Sequence, residues 1–243
     1  MPEGPSIVIL KEEVKTFKGK KIIEVSGNTK KFDLEILRGE TITAFKSWGK
    51  HFLICFPGFT IRIHFLLFGS YRINESKDAS PRLHLKFADG ELNFYACALQ
   101  LIDQPLNKVY DWSGDVMNKK FDPAKALQKL KDHPGTLICD ALLDQNIFAG
   151  VGNIIKNEVL FRIKIHPMNT VGKLPASKRK LLIKEAVNYS FDFLKWKKKF
   201  VLKKHWLIHT KKACPRDGTV IKKVYLGTTN RRTFFCPACQ KLF

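Results

Sequence analysis

The sequence predicts an α+β protein of more than one domain. An N-terminal helix and an antiparallel β-sandwich come first, followed by a helical region and a C-terminal zinc-ribbon hairpin. Three observations predict this architecture. Short β-branched and aromatic runs fill the N-terminal part, apolar residues at helical spacing follow from residue 123, and a Cys-x2-Cys pair lies near the C-terminus. With 243 residues, 44% of them hydrophobic, the chain is long enough to bury the cores of one or two domains.

The N-terminal helix is predicted from Ile7, Leu10, Val14 and Phe17, which follow the spacing of one buried helix face. After Gly19, short runs separated by turn residues predict strands at residues 21–25, 41–46, 51–56, 60–64, 70–73, 83–87 and 92–95. Asp89 and Gly90 form a hairpin signal between the last two runs. Several short strands at this spacing are typical of a sandwich or barrel, and we assign residues 1–112 to it.

The region that follows has weak periodicity up to residue 122, and we place a linker at residues 113–122. Asp122 and Pro123 are a helix N-cap followed by proline in the first turn. Apolar spacing predicts helices over residues 137–148 and 153–161, and a long basic helix over residues 176–197. We therefore expect a helical domain at residues 123–204 and a hairpin domain at residues 205–243.

The charge balance is the unusual feature of the composition. Lysine and arginine number 43 against 22 acidic residues, which gives a net charge of +21 and favours a polyanionic partner, either nucleic acid or an anionic membrane surface. Residues 195–243 hold 14 lysines and arginines against one acidic residue, Asp217. Aromatic residues are interleaved with this charge, namely Trp196, Phe200, Trp206 and Phe234. A solvated basic face is the plainer interpretation, but the interleaving favours nucleic acid.

Other classes of protein are disfavoured by simple patterns. No run approaches the roughly 18 apolar residues that a membrane span requires, and the N-terminus lacks the order of a secretory signal. Six cysteines in a chain of this length do not make a disulfide scaffold, and Cys55, Cys97 and Cys139 lie in apolar surroundings typical of inert core residues. We therefore expect a cytoplasmic protein with reduced thiols and no membrane partner.

The C-terminal cysteines indicate a structural zinc ion. Cys236 and Cys239 form one knuckle, and Cys214 begins an incomplete second knuckle in which Asp217 stands where a fourth cysteine is expected. A carboxylate can ligate zinc, so Asp217 is one candidate for the fourth ligand. His209, five residues before Cys214, is the other, and a hairpin without metal is the third possibility. A small basic hairpin with little hydrophobic core needs an additional cross-link such as a bound metal ion, which favours the zinc site.

The N-terminus carries a possible nucleophile. Proline at position 2 normally leads to removal of the initiator methionine, which leaves the secondary amine of Pro2 beside the carboxylate of Glu3. An α-amine has a pKa near 8, so part of it is neutral at physiological pH and can attack a sugar C1′. Taken alone, this pattern also fits an ordinary processed N-terminus.

Four segments resemble the formamidopyrimidine-DNA glycosylase and endonuclease VIII family of base-excision repair enzymes. They are the start at residues 2–5, Gly49-Lys50 entering a strand, residues 144–158 (DQNIFAGVGNIIKNE), and residues 231–240 (RRTFFCPACQ). They occur in the family's order and span almost the whole chain. The third resembles the signature of the family's helix-two-turns-helix DNA-binding element, which the resemblance assigns to residues 123–204.

The resemblance implies roles for individual residues. Pro2 is then the nucleophile, Glu3 the general acid/base, and Lys50 the lysine that supports catalysis and contacts phosphate. Asn153 matches the asparagine that grips the phosphate beside the lesion, with Gly150 and Gly152 allowing the backbone to approach DNA. Arg231 matches the zinc-finger arginine that clamps the same phosphate.

The substrate class is implied by local segments. Residues 64–69 (HFLLFG) occupy the loop that wedges into the duplex in this family, where Leu66, Leu67 and Phe68 are apolar as insertion between bases requires; alternatively, some of the three pack in the strand core. Residues 94–98 resemble endonuclease VIII, and residues 197–209 offer no long lesion loop, so oxidised pyrimidines are expected. Ser6 stands where most members carry a second glutamate, so a helper carboxylate is missing.

The resemblance thus predicts a bifunctional glycosylase and AP lyase that holds damaged DNA in a basic cleft between its domains and acts through a Schiff base with β,δ-elimination. The structural zinc ion takes no part in catalysis, and we expect a monomer. One alternative is a damaged- or abasic-DNA-binding protein with weak or lost glycosylase activity. A more distant one is a zinc-ribbon RNA-binding protein.

Overall fold

The computed structural model describes residues 2–243, so that Met1, whose removal the sequence predicts, lies outside the described residues. The chain divides into two compact units, Met1–Asp111 and Trp112–Phe243. Across residues 2–243, none of the helices is both long enough and apolar enough to cross a membrane. The predicted α+β class is confirmed, with strands in the first unit and helices plus a two-stranded hairpin in the second.

The first unit is an antiparallel sheet with one helix packed on it. Helix α1 (Gly4–Glu13) buries Ile7 and Leu10, as its spacing predicts, and packs against β2 and β3. The strands are β1 (Glu24–Ser26), β2 (Ala44–Trp48), β3 (His51–Cys55), β4 (Thr60–Ile73), β5 (Leu83–Phe87) and β6 (Gly90–Ile102). All six are hydrogen-bonded in the order β1-β5-β6-β4-β3-β2. Strand β5 buries alternate side chains, and β6 does so between Tyr95 and Gln100, as a strand that packs on one face does.

Strands β4 and β6 differ most from the sequence expectation. Two separate strands with an intervening loop were expected over residues 60–73, but β4 runs continuously through them. Its register with β6 jumps from the Phe65–Cys97 pair to the Ser70–Tyr95 pair, so residues 66–69 bulge out opposite Ala96 alone. Gly69 is required here because a Cβ atom would lie 2.8 Å from the carbonyl oxygen of Ala96.

The second unit is mostly helical. A short helix α2 (Leu106–Val109) precedes the unit, which contains α3 (Pro123–Lys131), α4 (Ile138–Ala141), α5 (Asn153–Arg162) and α6 (Ala176–Lys198). The Asp122 cap is confirmed, since its carboxylate accepts hydrogen bonds from the backbone N–H groups of Ala124 and Lys125. The expected helix over residues 137–148 is wrong beyond Ala141. There the Asp144 carboxylate accepts the Asn146 N–H in a turn that competes with helix.

The hairpin lies at the end of the second unit. Strands β7 (Lys222–Leu226) and β8 (Arg231–Phe235) pair antiparallel and lie within residues 205–243, where the hairpin was expected. Their small core is separate from the main helical core and consists of Phe161, Ile208, Cys214, Ile221, Phe234 and Cys236. Phe161 belongs to α5, so this helix contributes a buried side chain to the hairpin's core and packs against the hairpin.

Candidate active site, phosphate-binding residues and metal-ligand cluster

Pro2 and Glu3 lead directly into helix α1. Pro2 is half-buried, whereas the side chain of Glu3 is buried at the N-cap position with extended backbone. The Glu3 carbonyl accepts the Ser6 N–H at 2.8 Å, which closes the first turn, and Pro5 stands where the helix needs no N–H donor. The fold therefore fixes a carboxylate next to the predicted nucleophile. Ser6, where a second glutamate was expected from the family, is also half-buried.

Lys50 lies at the turn between β2 and β3, where Gly49 has a φ of +53°. Two histidines lie close to this turn, because His51 follows Lys50 and pairs across the sheet with His64 on β4. Their rings meet edge to face at 5.2 Å between centroids. Burial, followed by the charges of Lys50 and Arg62, lowers the pKa of His64, whose ring also bonds to the backbone of Lys50.

His51 is held neutral even more firmly than His64. Burial lowers the pKa of His51 to about 3, and the neighbouring charges of Arg62, His64 and Lys50 act in the same direction. The turn therefore places Lys50 beside two imidazoles that stay uncharged at neutral pH. Sequence reasoning did not single out these histidines. The sequence feature that could have pointed to them is a histidine directly after Lys50 and another at the start of the HFLLFG segment.

The three apolar residues of the β4 bulge are all exposed. Leu66, Leu67 and Phe68 have 50%, 57% and 84% of their surface accessible, so none of them packs in the strand core. An apolar side chain as exposed as Phe68 gains nothing for the fold and is available for insertion into a partner. Leu66 also lines a cavity of about 350 Å³ together with Arg82 and Ala96.

In the second unit, Asn153 is the first residue of α5 and directly follows Gly152 at the N-cap. Its side-chain N–H donates to the backbone carbonyl of Arg232 at 2.8 Å. Arg231 begins β8 and is half-buried. The structure thus brings Asn153 into contact with β8, the strand that begins with Arg231, although 78 positions separate the two residues in the chain. Gly150, with a φ of +103°, donates its N–H to Gln145 in the preceding turn.

Three consecutive polar residues of α5 attach the helix to the hairpin. Lys156 bonds to Thr233 at 2.8 Å, and Asn157 accepts the backbone N–H of Phe234 at 3.3 Å. The fully buried Glu158 carboxylate accepts the backbone N–H groups of residues 207–209. Burial raises the pKa of Glu158, although these N–H donors oppose the shift. Polar residues on an otherwise apolar helix were the available sequence signal.

The four predicted metal ligands come together at the base of the hairpin. The ligand atoms of Cys214, Asp217, Cys236 and Cys239 all lie within 4.8 Å of one another. A Cys236 Sγ–Asp217 Oδ2 distance of 3.4 Å and a Cys214 Sγ–Cys239 Sγ distance of 3.9 Å show how compact the group is. Three thiols and one carboxylate are a donor set that suits a tetrahedral metal ion, so the cluster can hold one.

Protonation in the cluster favours Asp217 as an anionic ligand. The Thr219 backbone N–H, followed by the Cys214 thiol, lowers the pKa of Asp217 to about 2. Burial raises the pKa of the Cys214 thiol to about 11, so metal binding there must displace a proton. His209, the alternative ligand, lies outside this group. Its Nδ1 faces Asn157 Nδ2 at 3.1 Å, and burial lowers its pKa to about 4.

Two domain families match the chain. The model of the formamidopyrimidine-DNA glycosylase N-terminal domain matches residues 1–98, and that of the formamidopyrimidine-DNA glycosylase H2TH domain matches residues 113–192. Endonuclease 8-like 2 of Homo sapiens is 35% identical over 195 residues, which are 74% of this chain and 57% of that protein. Endonuclease 8-like 3 of Xenopus laevis is 32% identical over 222 residues, which are 86% of this chain and 36% of that protein.

Solved structures show the same fold. The formamidopyrimidine-DNA glycosylase of Lactococcus lactis, bound non-covalently to DNA with an AP site, superposes with a TM-score of 0.87 at 26% identity, covering 98% of this chain and 99% of that one. The same enzyme with DNA containing an oxidised pyrimidine also gives a TM-score of 0.87 at 26% identity, covering 99% of this chain and 100% of that one.

The fold and the cysteine-bearing hairpin define a glycosylase-type architecture of a β unit followed by a helical unit. The chain belongs to the formamidopyrimidine-DNA glycosylase and endonuclease VIII family. It spans 57% of the length of the human relative and 36% of that of the Xenopus relative.

Proposed function

We propose that this protein is a DNA glycosylase and AP lyase of base-excision repair that acts on oxidised bases, with oxidised pyrimidines as its preferred substrates. The observation that carries the proposal is the buried Glu3 carboxylate fixed beside the half-buried Pro2 at the start of α1. A buried carboxylate next to a secondary amine is the pair that nucleophilic attack with proton transfer requires. Lys50, Asn153 and Arg231 then bind phosphates, and Leu66 to Phe68 fill the space left by the extruded base.

The chemistry follows from these groups. The neutral Pro2 nitrogen attacks C1′ of the damaged nucleoside, and the C1′–N bond to the base breaks with its electron pair going to the base, which takes up a proton. Glu3 assists opening of the sugar ring by giving a proton to the ring oxygen as the C1′–O4′ bond breaks, which leaves Pro2 joined to C1′ as an iminium ion. The Glu3 carboxylate then takes a proton from C2′, and loss of the 3′ and then the 5′ phosphate by elimination cuts the strand on both sides.

The second unit serves DNA binding in this proposal. A zinc ion held by Cys214, Asp217, Cys236 and Cys239 supports the hairpin that carries Arg231 and takes no part in the reaction. The net charge of +21 supplies affinity for the DNA backbone without selecting a base. The preference for pyrimidines is supported by the segment at residues 197–209, which contains a short 3₁₀ helix at Leu202–His205 and no long lesion loop.

Borohydride trapping on DNA with an abasic site tests the nucleophile. Two proteins are compared: one that begins at Pro2, and one in which a Gly-Ser extension converts the Pro2 amine to an amide. We expect a covalent adduct with the first protein only, while both bind the DNA with similar affinity, within about threefold. An adduct of equal yield with the extended protein contradicts the proposal, because an amine other than that of Pro2 is then sufficient as the nucleophile.

A second candidate function is recognition of damaged or abasic DNA with weak or lost glycosylase activity. The observation that favours it is Ser6, which offers a hydroxyl where a second carboxylate is usual in the family. A panel of thymine glycol, dihydrouracil, 8-oxoguanine and abasic DNA separates the two. Tight binding without base release or an adduct on any of the four supports the binding protein. Release of oxidised pyrimidines supports the glycosylase.

A further inference from the structure

Lys156 is a cation buried at the contact between α5 and β8. Its side chain is 1% exposed, and its Nζ donates a hydrogen bond of 2.8 Å to the hydroxyl of Thr233, which is also 1% exposed. Burying an ammonium group is unfavourable unless polar partners replace its water. An apolar residue of similar size would fill the same volume without desolvating an ammonium group, so the polar contacts of Lys156 are the feature to explain. Its presence calls for an effect beyond packing.

The Thr233 hydroxyl carries the contact on to Arg231. A hydroxyl has one proton and two acceptor lone pairs, so it can accept from Lys156 and donate elsewhere at the same time. Thr233 Oγ1 donates to the backbone carbonyl of Arg231 at 3.0 Å. The geometry therefore links the Lys156 ammonium group, through one hydroxyl, to the peptide from which the Arg231 side chain extends.

A parallel contact lies one helical turn earlier. Asn153 donates to the backbone carbonyl of Arg232 at 2.8 Å, and residues i and i+3 of a helix share a face. The first turn of α5 thus holds two adjacent carbonyls of β8, one directly and one through Thr233. These contacts fix the strand that carries Arg231 against the helix that carries Asn153.

We propose that Lys156 is a positioning residue for Arg231, setting the start of β8 so that Arg231 and Asn153 bind the same DNA phosphate. The inference rests on the proposed function, because it takes Arg231 and Asn153 as phosphate-binding residues. It assigns Lys156 itself no contact with DNA. Lys156 acts through Thr233 and not through its charge alone. Two residues that act through one contact are energetically coupled, whereas charges that attract DNA independently contribute additively.

A double-mutant cycle tests this inference on DNA that contains a tetrahydrofuran abasic analogue. The variants are Lys156→Met, Thr233→Val and Thr233→Ser, each made alone and together with Arg231→Ala. We expect Lys156→Met and Thr233→Val each to raise the Kd about tenfold alone, and by less than about twofold when Arg231 is already alanine. Thr233→Ser keeps the hydroxyl and is expected to retain the Kd. The salt dependence of the Kd should be the same for Lys156→Met as for Arg231→Ala, because each variant loses one phosphate contact, that of Arg231.

Lys178→Met is the matched control. Its Nζ bonds to the backbone carbonyl of Ile163, so the substitution removes the same charge from the same unit without touching β8. Equal losses of affinity for Lys156→Met in both backgrounds, or a Thr233→Ser variant that behaves like Thr233→Val, overturn the inference. If a thermal melt shows that Lys156→Met is not folded, the comparison of Thr233→Val with Thr233→Ser tests the positioning role instead. An unchanged Kd for Arg231→Ala overturns the phosphate role in the proposed function, and the positioning role with it.

Discussion

Asp140 and Thr229 are joined by a hydrogen bond of 2.9 Å from the Thr229 hydroxyl to Asp140 Oδ1. Asp140 lies on α4 and Thr229 in the turn between β7 and β8, and the other carboxylate oxygen accepts the Thr228 N–H at 2.9 Å. Gly227 packs directly against this carboxylate with a φ of +75°, which leaves no room for a Cβ atom. The turn that precedes Arg231 is therefore held by a side chain far away in the sequence.

Replacing Asp140 by alanine should destabilise the second unit. The carboxylate is nearly buried and its loss leaves the turn donors without their acceptor, so we expect about 2–4 kcal/mol less free energy of unfolding. Urea unfolding measures this, with Asp132→Ala as the control, since the exposed Asp132 caps only α3 and bonds to Gln128. Equal and small losses for the two variants contradict the anchoring role.

Removing one candidate ligand should distinguish Asp217 from His209. We expect one zinc ion per chain, and Asp217→Ala should weaken zinc affinity at least about tenfold, because only three thiolates remain. His209→Gln should retain zinc, since that imidazole lies against Asn157 outside the cluster. Competition with a chromogenic chelator gives both affinities. Loss of zinc in His209→Gln alone identifies histidine as the fourth ligand and rejects Asp217.

The exposed Phe68 should matter only where a base must leave the stack. We expect Phe68→Ala to slow release of an oxidised pyrimidine from duplex DNA about tenfold or more, while strand cleavage at a preformed abasic site changes little. The ratio of the two rates is the measurement. Phe191→Ala on α6 removes a half-exposed phenylalanine from another surface and should leave the ratio unchanged. A proportional loss of both rates in Phe68→Ala points to general DNA binding instead of insertion.

Stability should fall in acid partly through His51. Its pKa is lowered to about 3 in the folded protein, whereas an unfolded histidine titrates near 6.5. The unfolded chain therefore binds the extra proton first, so the contribution is fully present above pH 6.5 and is lost as the pH falls toward 3. His51→Phe should reduce the slope of unfolding free energy against pH by roughly 1 kcal/mol per unit between pH 6 and 5.

The control for this pH effect is His133→Phe, because His133 is exposed and lies on the second unit. Urea unfolding at several pH values gives the slope for the parent and both variants. A slope in His51→Phe equal to that of the parent shows that His51 does not carry the acid sensitivity. A changed slope in His133→Phe of the same size removes the specificity of the effect.

Local chemistry made much of the fold predictable. The Asp122-Pro123 cap, the apolar face of α1 and the C-terminal hairpin depend on residues close in sequence, and each lies where it was expected. The helix expected to Phe148 was wrong, because apolar spacing does not reveal that Asp144 bonds to Asn146 and forms a turn. The three apolar residues at the β4 bulge were recognised, but their place in a continuous strand was not.

The sequence by itself determined which residue types are present for the chemistry: an N-terminal proline with a carboxylate, three cysteines with an aspartate at knuckle spacing, and a large excess of positive charge. The tertiary structure alone decided which of them meet. Asn153 reaches the backbone of Arg232, Lys156 reaches Thr233, and Asp140 reaches the turn at Thr229, each across more than seventy residues. Such contacts leave no periodic signal, because they depend on how separate elements pack and not on the preferences of neighbouring residues.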